Sequence, residues 1–340
     1  MSVTNEAIIE QLIRGQNLDG LLIRELMERM LSGVMPPAQV AASLALMRAK
    51  KESPLEIAQC AELVIEKAAF IERPSYPFAD IVGTGGDGHH TINVSTLASI
   101  TAASLGLPVA KHGNVSVSSK CGSADVLDEI GVDVSLSPSQ SRSCLDQHNW
   151  CFLFAPNYHT AFKSVKALRQ ELKIRTIFNI IGPLANPLRP PIMLVGVFDP
   201  ALIKPFALAL KDLGRQRALI VHGSGLDEIA LHGPTEAALL DDRSIEQLRF
   251  SPKDLGLSYF SLDALRGGDK KDNAKAFVEL LSGRGDVAQM SFVAASAGAL
   301  LWLGEKASSL SDGVSMSFEA LRSGAPLSTL LEVKEFGHGA

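Results

Sequence analysis

The chain has 340 residues, 46% of them hydrophobic, with a mean hydropathy of +0.16, enough for one large domain or two. Lys and Arg total 32 against 37 Asp and Glu, a net charge of -5, which excludes a basic nucleic-acid footprint over the whole surface but leaves room for a local basic pocket. Cys60, Cys121, Cys144 and Cys151 show no CxxC spacing and read as reduced thiols; with no secretory leader and no stretch long enough to span a bilayer, the expectation is a cytoplasmic protein with no membrane or nucleic-acid partner.

The first 70 or so residues carry only helical periodicity. Ile8, Ile9, Leu12 and Ile13 form one stripe and Leu22, Leu26 and Met30 another, and "SPLE" at 53–56 is a capping box with proline at the first helical position. "ERPSYPF" (72–78) breaks the pattern and marks a domain crossing, giving a helical domain over 1–72 and an α/β domain over 73–340. Beyond it, short apolar runs alternate with helical patterns: "ADIVG", "STLASITAASLG", "LPVAKHG", "SADVLDEIG", then "IMLVGVF" and "RALIVHG". That alternation predicts a mostly parallel sheet covered by helices. Gly106 and Gly131 are suited to left-handed caps after the two helices. Part of 160–186, a long helix and a short one, is expected to pack back on the helical domain.

Four stretches carry chemistry. In "IVGTGGDGHHTINVST" (81–96) the glycines free backbone N–H groups to converge on an anion, and a helix opening near Ser95–Thr96 aims its positive end the same way. Neither the P-loop nor the dinucleotide spacing is present. Asn93, Ser95 and Thr96 taken singly read best as helix caps, and together they favour a polyanion. "KHGNVSVSSKCGSAD" (111–125) is a second such loop, in which Lys111 ends a strand and Gly113, Ser116, Ser118, Ser119 and Ser123 follow. Asp227 and Glu228 in "HGSGLDEIAL" (222–231) read either as a solvated helix start or as oxygen ligands for magnesium. Arg169, on an amphipathic helix with Lys163 and Lys166, is part of a solvated basic face or a fork for a planar carboxylate.

These stretches, in this order and with "RTIFNIIGPLANP" (175–187) between them, resemble the anthranilate phosphoribosyltransferase family of tryptophan biosynthesis, and the resemblance runs from the helical start to "GGDKKDNA" (267–274). It implies a small all-α domain, a large α/β domain, a homodimer and an active site between the two domains. It implies that Gly83, Gly86, Asp87, Thr91, Asn93, Val94, Ser95, Thr96, Lys111, His112, Gly113, Asn114, Ser118, Ser119 and Ser123 bind phosphoribosyl pyrophosphate. Gly83, Asn114, Arg169, His112 and His159 would take anthranilate, and Ser95, Asp227 and Glu228 would hold magnesium, as two ions. No covalent nucleophile is implied, because the arylamine attacks by itself, and Cys121 reads as packing. Val115 stands directly after the Gly–Asn pair, where many relatives have arginine, and His89 and His90 receive no role. A pyrimidine nucleoside phosphorylase and a non-catalytic nucleotide- or nucleic-acid-binding paralogue are the alternatives; the second sits poorly with Lys111, Asp227, Glu228 and the negative charge.

Overall fold

The computed structural model of the chain describes residues 3–115 and 121–339, so the expected contacts of Ser118 and Ser119 lie outside the described residues. Four helices open it: α1 (Asn5–Ile13), α2 (Gly20–Leu31), α3 (Pro37–Lys50) and α4 (Pro54–Glu66). Their starts follow from local chemistry. Asp19 accepts from the Leu21 and Leu22 amides, and Ser53 and Glu56 cap α4 reciprocally. Glu56 does more than cap, because it also accepts from the Leu18 amide at 2.9 Å and pairs with Lys50 at 2.5 Å, both side chains buried. Removing one partner of such a pair costs about 3–5 kcal/mol. Ile8, Leu12, Leu26 and Met30 are buried as the stripes predict, whereas Ile13 ends α1 and stays exposed.

The α/β part runs through β1 (Ala79–Gly83), α5 (Val94–Ser104), β2 (Val109–Gly113), α6 (Ser123–Glu129), α7 (Pro138–His148) and β3 (Trp150–Phe154). Three helices follow: α8 (Ala155–Tyr158), α9 (Lys163–Leu172) and α10 (Ile177–Ile181). Then come β4 (Ile192–Gly196), α11 (Ile203–Asp212), β5 (Arg217–His222) and the strands β6 (Thr235–Asp241) and β7 (Ser244–Phe250). The chain closes on α12 (Lys270–Leu281), α13 (Val287–Leu303), α14 (Leu310–Ser323) and α15 (Ala325–Gly339). As expected, Gly106 and Gly131 follow their helices in the left-handed region, at φ +81° and +79°. α9 packs on α2 and α3, and α10 on α3 and α4.

The seven strands lie in the order β3-β2-β1-β4-β5-β6-β7, the first five parallel and the last two antiparallel. Residues alternate between faces: Ile81, Leu194, Leu219 and Val221 join the core beneath α5 and α13, while Val82, Met193, Val195 and Ile220 join the core shared with α1–α4 and α11. Among the described residues no helix is long and apolar enough to cross a membrane; α13, apolar on all sides, is instead buried against α5 and α14. The strand order reverses between β1 and β4, and ligands of open α/β sheets gather beyond the strand ends at such a point. The glycine-rich loop leaves β1 there.

Candidate active site

Gly83 ends β1 and pairs with Gly196 at the end of β4. Over these two strand ends passes the 223–230 loop that follows β5, and a Cβ on Gly83 would lie 2.5 Å from Asp227 Oδ2. A Cβ on Gly196 would fall onto the Asp227 carbonyl. Both glycines are therefore required by the close approach of one carboxylate-bearing loop. Asp227 Oδ2 accepts the Gly85 amide at 2.6 Å, and Glu228 Oε1 accepts the Ser95 hydroxyl at 2.6 Å. Asp87 adds its charge to Asp227, and its own Oδ1 accepts the His89 amide at 3.1 Å.

The neighbourhood of Asp227 and Glu228 corrects one expectation. They do not open a solvated helix; they sit in a bend whose flanks, Leu226, Ile229 and Ala230, are buried. Burial first, and neighbouring carboxylate charge second, hold both groups well above the ordinary carboxylate range. Two or three carboxylates held together against burial are a donor set that a divalent cation relieves. The donor set fits magnesium, which takes one or two carboxylates and completes its shell with water and phosphate.

The helix start is corrected as well. α5 opens at Val94 with Asn93 at the cap position, but the Asn93 side chain caps nothing and instead donates to the Cys121 carbonyl at 3.2 Å. Asn93 sits in an inverse γ-turn, φ -72° and ψ 60°, which sends the Val94 N–H to the Ile92 carbonyl at 2.7 Å. Val94 and Thr96 are 2% and 1% exposed, so their side chains belong to the core, whereas Thr91, Asn93 and Ser95 alternate with them toward the cleft. Upstream, Gly85, Gly86 and Gly88 all have positive φ, and among the described residues the Gly86, Asp87 and Gly88 amides have no protein acceptor. These three open N–H groups beside the start of α5 form an anion cradle.

Lys111 is corrected too. It is the middle residue of β2, 4% exposed, and its Nζ donates to the Ile81 carbonyl at 2.8 Å. It acts from beneath the loop, as a buried charge facing Asp80 and Glu228, and burial lowers its pKa. Asp80 is the matching anion, which the sequence reading missed. Its oxygens accept the His112 amide at 3.1 Å and the Asn186 Nδ2 at 2.8 Å, and burial raises it to about 6. Gly113 is glycine because a Cβ would meet Ser123 Oγ at 2.5 Å and the Phe152 ring at 2.6 Å. Ser123 Oγ donates to the Asn114 carbonyl, and Asn114 Oδ1 accepts the Val115 amide.

A row of rings runs from β2 through α10 to α9. His112 and His159 meet edge to face at 5.2 Å, His159 and Phe162 at 5.9 Å, and Phe162 and Phe178 at 5.5 Å. Arg169 ends the row, its guanidinium 5.2 Å from the Phe178 centroid. Arg169 is half-buried while Lys163 and Lys166 are exposed, which separates it from a solvated basic face. Burial keeps both histidines neutral, His159 pushed down to about 4 and His112 well below its usual value.

Arg175 also escaped the sequence reading. Its Nη2 donates to the Gly86 carbonyl and its guanidinium stacks 3.8 Å from the Phe198 centroid, tying the glycine loop to the α9–α10 segment. "GGDKKDNA" braces the same loop from the opposite side, through Gly267 N–H to the His90 carbonyl at 2.8 Å and a bridge between Thr91 and Arg266. His90, at φ +54°, thus has a structural place that its sequence context did not show.

Residues 6–68 match the helical bundle domain of a glycosyl transferase family, and residues 75–327 match its a/b domain. An anthranilate phosphoribosyltransferase of Tolumonas auensis is 43% identical over 97% of this chain and 98% of its own length. One of Yersinia pestis is 46% identical over 87% of this chain and 89% of its own. Among solved structures, the Thermus thermophilus anthranilate phosphoribosyltransferase superposes with a TM-score of 0.92 at 36% identity, covering 97% of this chain and 99% of that one. The Saccharomyces cerevisiae enzyme in complex with PRPP and Mg superposes with a TM-score of 0.84 at 25% identity, covering 99% and 94%. Fold, cleft and relatives agree, and the chain belongs to the anthranilate phosphoribosyltransferase family.

Proposed function

We infer that this protein transfers the phosphoribosyl group of 5-phosphoribosyl 1-pyrophosphate to the amine of anthranilate, giving N-(5-phosphoribosyl)anthranilate and pyrophosphate. The observation that carries the reading is the presence of two chemically different residue sets, the two walls of the site. One has open amides at 86–88 beside Ser95, Asp227 and Glu228; the other is the ring row ending at Arg169. In the reaction the C1–O bond to pyrophosphate breaks, the C1–N bond to the arylamine forms, and the amine proton leaves to water or to pyrophosphate.

The loop amides of Gly86, Asp87 and Gly88 and the Ser95 start of α5 bind and orient the pyrophosphate, with Thr91 and Asn93 on the ribose side. Such preorganised donors are worth most where charge builds on the leaving group. Asp227, Glu228 and Ser95 are the residues that would hold magnesium, as two ions, and magnesium when bound neutralises the departing pyrophosphate. Relatives support the metal, since the yeast structure is a PRPP and Mg complex and another contains 4-fluoroanthranilate. Arg169 holds the anthranilate carboxylate, neutral His112 and His159 line its ring, and Asn114 and Gly83 close the path toward C1. Cys121 has its thiol pKa raised by burial, as suits packing rather than nucleophilic attack. The helical unit 1–72, with 160–186 on it, moves against 73–340 to close the cleft, and the protein works as a cytoplasmic homodimer.

Arg169→Ala tests the two-walled assignment. Loss of a charge-assisted hydrogen-bond pair is worth about 1.5–3 kcal/mol, so the KM for anthranilate should rise roughly 10- to 100-fold. The KM for the ribosyl donor should stay near that of the unmodified chain. Equal changes in both would contradict the placement.

A further inference from the structure

Away from the glycine loop, Arg215 is a buried cation with unmade hydrogen bonds. It lies in the turn between α11 and β5, at the N-terminal end of the sheet and so opposite the glycine loop, its amide donating to the Leu210 carbonyl at 3.0 Å. The residue is 4% exposed, and neither Nε nor Nη2 has a hydrogen-bond partner. Among the described residues no carboxylate lies within ion-pair distance of it.

Its charged neighbours make the imbalance worse. The Gln216 and Arg217 amides both donate to the Pro191 carbonyl, at 2.9 and 3.1 Å, which lays residues 189–191 alongside 215–217 and brings Arg189 close. Arg73 adds a third positive charge from the crossing segment. Glu62 of α4, one of two carboxylates whose field reaches Arg215, already binds Arg189 Nη1 through both oxygens, at 2.6 and 2.7 Å. Asp80 is the other anion whose field reaches Arg215, and its oxygens serve Asn186 and His112. A buried guanidinium with unmade hydrogen bonds is costly, and water would satisfy its N–H groups without cancelling the excess charge. A pair of coplanar oxygens carrying negative charge does both.

We propose that Arg215, with Arg189, forms a binding site for a small oxyanion, a carboxylate or phosphate group, at the end of the sheet away from the active site. The test is the thermal midpoint of the full chain, its cleft filled with magnesium and phosphoribosyl pyrophosphate, titrated with phosphate or acetate against chloride at matched ionic strength. The unmodified chain should show a saturable rise in midpoint. Arg215→Met keeps the stem and removes the fork; in chloride it should be as stable as the unmodified chain or more so, and it should not respond to either oxyanion. Arg189→Ala leaves Arg215 in place and should weaken half-saturation roughly tenfold, the worth of one charge-assisted bond. A stronger response to phosphate assigns the site to phosphate esters, and a stronger response to acetate assigns it to carboxylates. An unmodified chain indifferent to both, or an Arg215→Met chain that responds equally, overturns the proposal. Should Arg215→Met not fold, an unchanged response in Arg189→Ala overturns it alone.

Discussion

Asp227→Asn combined with Glu228→Gln should lower turnover about 10²-fold or more while leaving the fold intact. The size follows from what the pair does: it gathers negative charge where a cation must meet the leaving pyrophosphate. Removing both charges removes that meeting point and spares the loop amides. Stability should hold or rise, because burial and mutual repulsion already work against the ionised pair and the amides keep its shape. The Gly85 N–H still finds an acceptor only if the new carboxamide at position 227 keeps its oxygen inward, so Glu228→Gln alone is the milder control. The check is a magnesium titration of initial rate. An unchanged magnesium requirement in the double variant would return these residues to a structural role.

Gly196→Ala should cost nearly as much without touching a charge. The added Cβ would collide with the Asp227 carbonyl, a backbone atom that no rotamer change moves aside. β4 cannot yield, since Gly196 pairs with Gly83 and Val221, and its carbonyl accepts the Thr84 amide at 3.0 Å. The carboxylate loop must therefore lift, taking Asp227 from the Gly85 amide. A displacement of about 1 Å in a reacting constellation costs about 10²-fold, and overpacking of this kind destabilises by about 1–3 kcal/mol. Gly20→Ala is the matched control, because its Cβ meets only the Gln59 side chain at 3.9 Å. Steady-state rates and melting of the two variants check this. A Gly196→Ala enzyme with unaltered kcat/KM would show that the loop does not depend on the strand end.

What the chain wrote locally could be read locally. β1, α5, β2, β4 and β5 follow from period and caps, and the glycine loop from its composition. What depended on distant contact could not. Asp227 meets Gly85 across 142 residues, and only the fold turns an ordinary acidic pair into a buried one. The posture of Lys111 was not legible either, because a strand centre sends the side chain under the loop, to the Ile81 carbonyl. Asn93, Ser95 and Thr96 looked like caps since that is what such residues do singly; the inverse γ-turn before α5 frees Asn93 for Cys121 and Ser95 for Glu228. Arg175 had no signal of its own, as its partners Gly86 and Phe198 come from opposite sides of it in the chain. The resemblance to a family supplied what spacing could not, namely which anion and which aromatic acid.

The two residue sets together join a ribosyl donor to anthranilate. The most direct measurement is anthranilate fluorescence over time with the protein, magnesium and phosphoribosyl pyrophosphate present. The signal should fall steadily and only with all three present, with pyrophosphate appearing in equal amount. Fluorescence that stays constant in the complete mixture would contradict it.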